Sequence, residues 1–268
     1  MNYLQALLLA IIEGLTEFLP ISSTGHMVIA SSFMGIAKDD FTKLFEIVIQ
    51  LAAILSVVVI YWKKFFDFSR ISFYIKLIVA VIPALVIGGL FKKHIEAMLE
   101  TPIFIAVILL LGGIILLFVD RWFTTTTITD ENQIDNKKAF TIGVFQTLAV
   151  IFPGLSRSAA TIIGGMQQGL DRRTAAEFSF FLAVPTMLAA TVKSIYDVYK
   201  DAPEVLSTTN LGILALGNLV AFVVAYAAIK FFIGFLTKNG FKLFGYYRIV
   251  LGIVLLLIHF FIHPLSVA

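Results

Sequence analysis

The chain has 268 residues, 59% hydrophobic and 14% charged, with a net charge of +3 and a mean hydropathy of +0.97. Soluble domains carry roughly 45–50% apolar and about 25% charged residues, so this composition specifies a polytopic α-helical membrane protein. Cysteine is absent, which excludes a disulfide framework and a thiolate metal site; the small positive charge belongs to loops and does not point to nucleic acid.

The chain opens on Met1-Asn2-Tyr3-Leu4 with no basic stretch, so no cleaved signal peptide is expected. Residues 3–34 are apolar but broken near the middle by Pro20 and Ser22-Ser23-Thr24. Each half is too short to cross a bilayer, which takes about 20 apolar residues. Broken helices at membrane depth survive where protein or a watery cavity surrounds them, so a re-entrant helical hairpin is expected. Three spanning helices follow, at 43–62, 75–91 and 102–119. Residues 120–138, Thr-rich and then charged, read as a solvated linker with no chemistry assigned to Asp130, Glu131 or Asp135. A second broken stretch, 139–169, is interrupted at Pro153-Gly154 and reads as a second hairpin. Spans at 175–196, 210–229 and 247–263 complete the chain.

The two halves resemble each other. Glu13 pairs with Gln146, Pro20 with Pro153 and Ser23 with Ser156, all at an offset of 133 residues. The expected fold is one all-α membrane domain built as an inverted-topology repeat: repeat one 1–119, linker 120–138, repeat two 139–268, each a hairpin plus three transmembrane helices. Charge bias orients it. Loops 63–76, 120–138, 171–173 and 230–246 hold twelve Lys or Arg, and the opposite loops hold four, Lys38, Lys92, Lys93 and Lys200. The first group is placed in the cytoplasm. With three spans per half, the second half enters from the other side, and sites in such folds lie at the repeat interface.

Ionisable groups in lipid-embedded sequence are costly and point to function. Glu13 and Glu17 stand at i and i+4, on one helix face, and offer oxygens of the kind Mg²⁺ or Ca²⁺ takes. A packing or proton-relay role for one of them is the alternative. Ser22-Ser23-Thr24 after Pro20, and Ser156 and Ser158 after Pro153-Gly154, can start helices, and helix starts suit phosphate. His26, one turn past Ser23, could serve it as general base or protonate a leaving oxygen. Arg157, the one cation in a hairpin core, can grip phosphate bidentately or pair with Glu13 or Glu17, and Thr161 could add a hydroxyl donor. Lys43, Glu46, Asp171, Arg172, Arg173 and Glu177 read as interfacial anchors or ion pairs. Gln50 and Lys193 are left undecided, and His94, His259 and His263 receive no role. The small-residue pairs Gly88-Gly89 and Gly112-Gly113 permit close helix approach within a chain or between copies, which leaves a homodimer open.

Glu13-Gly-Leu-Thr-Glu17-Phe-Leu-Pro-Ile-Ser-Ser23-Thr-Gly-His26, together with Pro153-Gly-Leu-Ser156-Arg157-Ser158-Ala-Ala-Thr161, resembles the undecaprenyl pyrophosphate phosphatases of the bacitracin-resistance type, in motifs and in segment order. The resemblance implies a phosphatase of the bacterial inner membrane. It would act on a long-chain prenyl pyrophosphate lipid at an outward-facing site, with a divalent cation. It implies a Glu pair at Glu13 and Glu17, a nucleophile at Ser23, an essential His26 and a phosphate-binding Arg157. Thr24, Ser156 and Thr161 match further motif positions, and Ser158 lies within the same run. The competing class is a polyprenyl-phosphate flippase or an ion-coupled transporter, which inverted repeats and midplane charges also suit.

Overall fold

The computed structural model describes residues 1–261. Among them the helices are α1 Tyr3–Thr16, α2 Ser23–Phe33, α3 Asp40–Ile60, α4 Trp62–Phe65, α5 Ile71–Leu90, α6 Lys92–Leu99, α7 Pro102–Trp122, α8 Asn136–Ile151, α9 Arg157–Gln167, α10 Arg172–Asp201, α11 Thr208–Asn239 and α12 Lys242–Phe261. Six of these, α3, α5, α7, α10, α11 and α12, are long and apolar enough to cross a membrane. They fall where hydropathy places them. Their ends do not: α10 and α11 run to 30 and 32 residues. Hydropathy marks only the oily stretch, whereas caps set the true boundary. The Asp171 carboxylate accepts from the Thr174 N–H at 2.7 Å, and Gly240, at φ 69°, ends α11. His263 lies outside the described residues.

Helices α1 and α2 hold 14 and 11 residues, roughly 21 and 16 Å at 1.5 Å per residue, well short of a hydrocarbon core of about 30 Å. Helices α8 and α9 hold 16 and 11. Both pairs are hairpins, with turns at 17–22 and 152–156. The first helix of each hairpin packs on the other half of the chain, α1 against α11 and α8 against α5, while α2 touches α7 and α9 packs on α10 of its own half. Helix α7 runs along α12, and α3 along α10 and α11. The first turn is wedged into the core by Phe18, which is fully buried and meets Phe180 of α10 edge-on at 4.9 Å. The α5–α8 contact is close enough that a Cβ on Gly143 would run into the Ala80 carbonyl. The Gly112-Gly113 pair is consumed inside the chain by Arg248 and Gly245 of α12, whereas Gly89 faces open space.

Most of the linker is exposed, as expected, but three of its residues are buried. Ile128 and Ile134 are buried, and Ile128 bridges Leu170 in a two-residue β contact. Glu131 is buried too. It accepts from Lys64 Nζ at 2.8 Å and Arg70 Nη2 at 2.5 Å, while Lys76 Nζ donates to the Glu131 and Asn132 carbonyls, each at 3.2 Å. Three cations of the first half therefore hold the segment that leads to the second. The anchors at helix ends are ion pairs, as with Arg172–Asp120 at 2.8 Å and Arg173–Glu177 at 3.1 Å. Glu46 is the exception. One of its carboxylate oxygens is buried with no partner among the described residues, and the neighbouring Lys43 pairs instead with Glu100 at 3.8 Å.

Gly143→Ala is expected to destabilise the protein by about 1–3 kcal/mol, as overpacking does. Gly89→Ala, in open space, is expected to gain up to about 1 kcal/mol from helix propensity. Thermal melting of the purified protein in detergent reads both.

Candidate active site

Each hairpin turn ends in a serine that caps the next helix from an unusual backbone conformation. Ser22, at φ 70°, accepts from the Gly25 N–H at 3.2 Å, and Ser156, at φ 80°, accepts from the Ala159 N–H at 3.3 Å. These are the positive-φ non-glycine residues among the described residues. Such conformations cost on the order of 1–3 kcal/mol each and persist only where the surroundings impose them. The caps revise the sequence register by one residue. Pro20 stands two residues before its cap and Pro153 three, so Ser22 matches Ser156. The first helical positions are then Ser23 and Arg157.

Those two side chains converge on one carboxylate. Ser23 Oγ donates to Glu17 Oε2 at 2.5 Å, and Arg157 Nη2 donates to Glu17 Oε1 at 2.7 Å. Arg157 Nη1 donates to the Ser179 carbonyl at 3.1 Å, and its Nε is buried without a partner among the described residues. The hairpins also touch through Ser158, whose Oγ donates to the Leu19 carbonyl at 2.9 Å and lies 3.0 Å from Ser156 Oγ. Thr161 Oγ1 donates to the Arg157 carbonyl at 2.8 Å and lies 2.6 Å from Ser179 Oγ. Of the second hairpin's predicted donors, Arg157 and Ser156 reach the cavity beside the turns. Ser158 and Thr161 do not line it, because their hydroxyls brace the hairpins.

That cavity measures about 210 Å³. Glu17, Ser22, Ser23, Thr24, Ser156 and Arg157 line it from the hairpins, joined by Gln50, Gln146 and Thr186. Ile95 and Leu99 of α6 form an apolar rim. His26 does not line it. The ring's Nδ1 lies 2.7 Å from the Ser22 carbonyl and its Nε2 2.7 Å from Tyr247 Oη. The carbonyl can only accept, so Nδ1 carries the proton and Nε2 accepts from the tyrosine hydroxyl. Ser23 thus bonds the Glu17 carboxylate, while the imidazole one turn on bonds Ser22 and Tyr247. Glu13 is wholly buried and neither of its oxygens has a hydrogen bond among the described residues.

The sequence is similar to that of known proteins. The model of the family described as bacitracin resistance protein BacA matches residues 6–254. The chain belongs to this family. It is 66% identical over 266 residues to an undecaprenyl-diphosphatase of Flavobacterium psychrophilum, covering 99% of each chain. It is 63% identical to one of Flavobacterium johnsoniae over the whole of both chains, and 51% identical to one of Porphyromonas gingivalis over 96% of this chain and 97% of that one.

For this BacA-family chain, sequence reasoning missed Arg248, Tyr247, Ser179 and Thr186. Arg248 is fully buried. Its guanidinium donates to the carbonyls of Pro20 at 3.2 Å, Gly154 at 2.9 Å and Leu155 at 2.7 Å, and to Ile108 and Leu109 of α7 at 3.3 and 3.2 Å. The signal was available: Arg248 is a charge inside the 247–263 span, the circumstance that singles out Glu17 and Arg157.

Removing one member of a buried ion pair strands the other at a cost of about 3–5 kcal/mol. Glu17→Gln and Arg157→Met should each lower stability by that order. The double variant should lose clearly less than the sum of the singles, as measured by a double-mutant cycle of unfolding in detergent.

Proposed function

We propose that this chain is an integral-membrane phosphatase that hydrolyses undecaprenyl pyrophosphate to undecaprenyl phosphate and inorganic phosphate. The reading is carried by one observation: a nucleophilic hydroxyl of one hairpin and a guanidinium of the other share the Glu17 carboxylate at the wall of a single cavity. The names of its relatives and its family support the substrate class.

Phosphoryl transfer asks mainly for positioning and charge neutralisation. Arg157 lines the cavity and keeps an Nε–H with no partner among the described residues, a donor suited to a phosphate oxygen. Ser23 attacks the terminal phosphorus and its proton passes to Glu17, 2.5 Å away. The bond from that phosphorus to the bridging oxygen breaks, Glu17 gives the proton it took to that oxygen, and the lipid leaves as the monophosphate. Water then attacks the phosphoserine, Glu17 takes the water's proton and passes it to the departing Ser23 Oγ, and phosphate and free Ser23 result. Arg157 holds Glu17 in place through both steps. His26, held by Ser22 and Tyr247, supports the start of α2 from behind.

The orphaned oxygens of Glu13 fit a divalent cation, Mg²⁺ or Ca²⁺. Among the described residues no three His, Asp or Glu side chains gather as a metal cage, so Glu13 and Glu17 would hold it together with substrate oxygens. When bound, the cation supplies charge neutralisation of the diphosphate.

We further infer an inverted repeat with the cavity open to the outside of the bacterial inner membrane. The exchanged packing of α1 on α11 and α8 on α5, and the excess of cationic residues in the loops placed in the cytoplasm, support it. The prenyl tail lies in lipid.

Detergent-solubilised protein should release phosphate from a long-chain prenyl pyrophosphate with no gradient present; a pure transporter releases none. Ser23→Ala and Arg157→Ala should each lower turnover by 10²-fold or more, of the order a positioned acid or base contributes. His26→Ala should cost less than either, because the imidazole does not reach Ser23. Chelation should abolish release, and added Mg²⁺ or Ca²⁺ should restore it.

A further inference from the structure

The serine–carboxylate–guanidinium arrangement depends on two turns being held at the right place, and the bonds each turn makes within itself are only short-range ones. Ser22 and Ser156 sit at positive φ, a conformation that relaxes unless something opposes it. What opposes it is a fully buried cation that the chemistry above does not use.

Arg248 enters from α12, behind the turns. It donates to Pro20 O in one turn and to Gly154 O and Leu155 O in the other, while Ile108 O and Leu109 O of α7 take its remaining donors. A guanidinium has five N–H donors in a rigid plane, and all five bonds here run to backbone carbonyls. No carboxylate among the described residues pairs with it, so carbonyl dipoles balance its charge there. In a trans peptide the carbonyl and the following N–H point to opposite sides. The Pro20 and Leu155 carbonyls face Arg248, and so the N–H groups of Ile21 and Ser156 face away from it. The starts of α2 and α9 are thereby oriented as a pair, with Ser23 and Arg157 on the same carboxylate. The adjacent Tyr247 donates to His26 Nε2 and stacks on its ring, with centroids 5.7 Å apart. It ties α2 to the same helix.

We propose that Arg248 is a positioning residue for phosphoryl transfer: one guanidinium sets both hairpin turns, and through them the distance between Ser23 and the phosphate held by Arg157. The proposal rests on the phosphatase reading for its activity assay, and a separate binding assay keeps it testable without that reading. Arg248 does not line the cavity, so its effect should fall on turnover and on the grip of the diphosphate headgroup, while the prenyl tail keeps capture of the whole lipid, and so KM, nearly unchanged.

Two variants test it. Arg248→Lys keeps the charge but cannot reach five carbonyls. Gly112→Ala leaves Arg248 intact but puts a methyl where the guanidinium lies, from a part of α7 outside the cavity. Phosphate release from a prenyl pyrophosphate should show kcat reduced about 10²-fold in Arg248→Lys, the effect of misplacing reacting groups by about 1 Å, and at least 10-fold in Gly112→Ala. KM should stay within about threefold, with the folded fraction near wild type by size exclusion and melting. Folded variants with wild-type kcat would overturn the proposal. So would a kcat loss that tracks the folded fraction, or failure of both variants to fold, since Arg248 would then be a structural staple only. Stabilisation by inorganic pyrophosphate, read as a shift in melting temperature, is the second measurement. It should be present in wild type and lost in Arg248→Lys. If wild type binds pyrophosphate but hydrolyses no lipid, the phosphatase reading fails, and loss of that binding in the variant still upholds the clamp.

Discussion

The ion pair between Glu17 and Arg157 is the constraint that gives the rest of the molecule its purpose. These residues are 140 positions apart, on different hairpins, and nearly buried. A charge at the bilayer centre costs at least about 2.5–3.5 kcal/mol on insertion scales, and each member offsets that cost for the other only while the turns touch. The pair therefore makes contact between the hairpins a condition of stability. It also spends only part of each partner: Glu17 retains a second oxygen for Ser23, and Arg157 retains an unpartnered Nε–H. A pair that exhausted its own donors would be a structural staple. This one leaves a carboxylate shared with Ser23 and a guanidinium with an unspent donor at the wall of one cavity.

The surroundings give this arrangement its rigidity by short-range means. Serine caps, the Ser158–Leu19 latch, the Thr161–Ser179 contact and the Arg248 fan are all hydrogen bonds in a low-dielectric interior. There a satisfied network is strong and an unsatisfied one costly. Two serines at positive φ are tolerated because several of these bonds converge on their neighbours. Glycine would take that conformation without strain, but it would bring neither a cap nor a lining hydroxyl.

Much of this was legible in the sequence, for identifiable reasons. Twenty-residue apolar stretches announce spans because lipid leaves backbone groups no other partner. Pro20 and Pro153 announce broken helices because a helix cannot absorb proline followed by serine caps. Glu13, Glu17 and Arg157 stood out because charge is dear in hydrocarbon. Contacts that depend on helix rotation were not legible. His26 lies one turn from Ser23, yet its ring turns to Tyr247, because spacing along a helix fixes a face and not a partner. Glu131 read as solvent-exposed because its three cationic neighbours come from a segment some 60 positions earlier. Arg248 was overlooked because a cation at the edge of a span looks like an interfacial anchor. The one-residue difference between Pro20–Ser22 and Pro153–Ser156 hid the equivalence of Ser23 and Arg157.

The docked linker has a consequence for motion. Glu131 fastens the crossover to Lys64 and Arg70, and the first helix of each hairpin is packed on the half it does not belong to. A carrier that exposes its cargo alternately to two compartments must let one half swing past the other, breaking such fastenings on every cycle. A scaffold tied at the crossover and again between the hairpin turns resists that swing, and suits a machine in which the lipid headgroup comes and goes while the frame stands still.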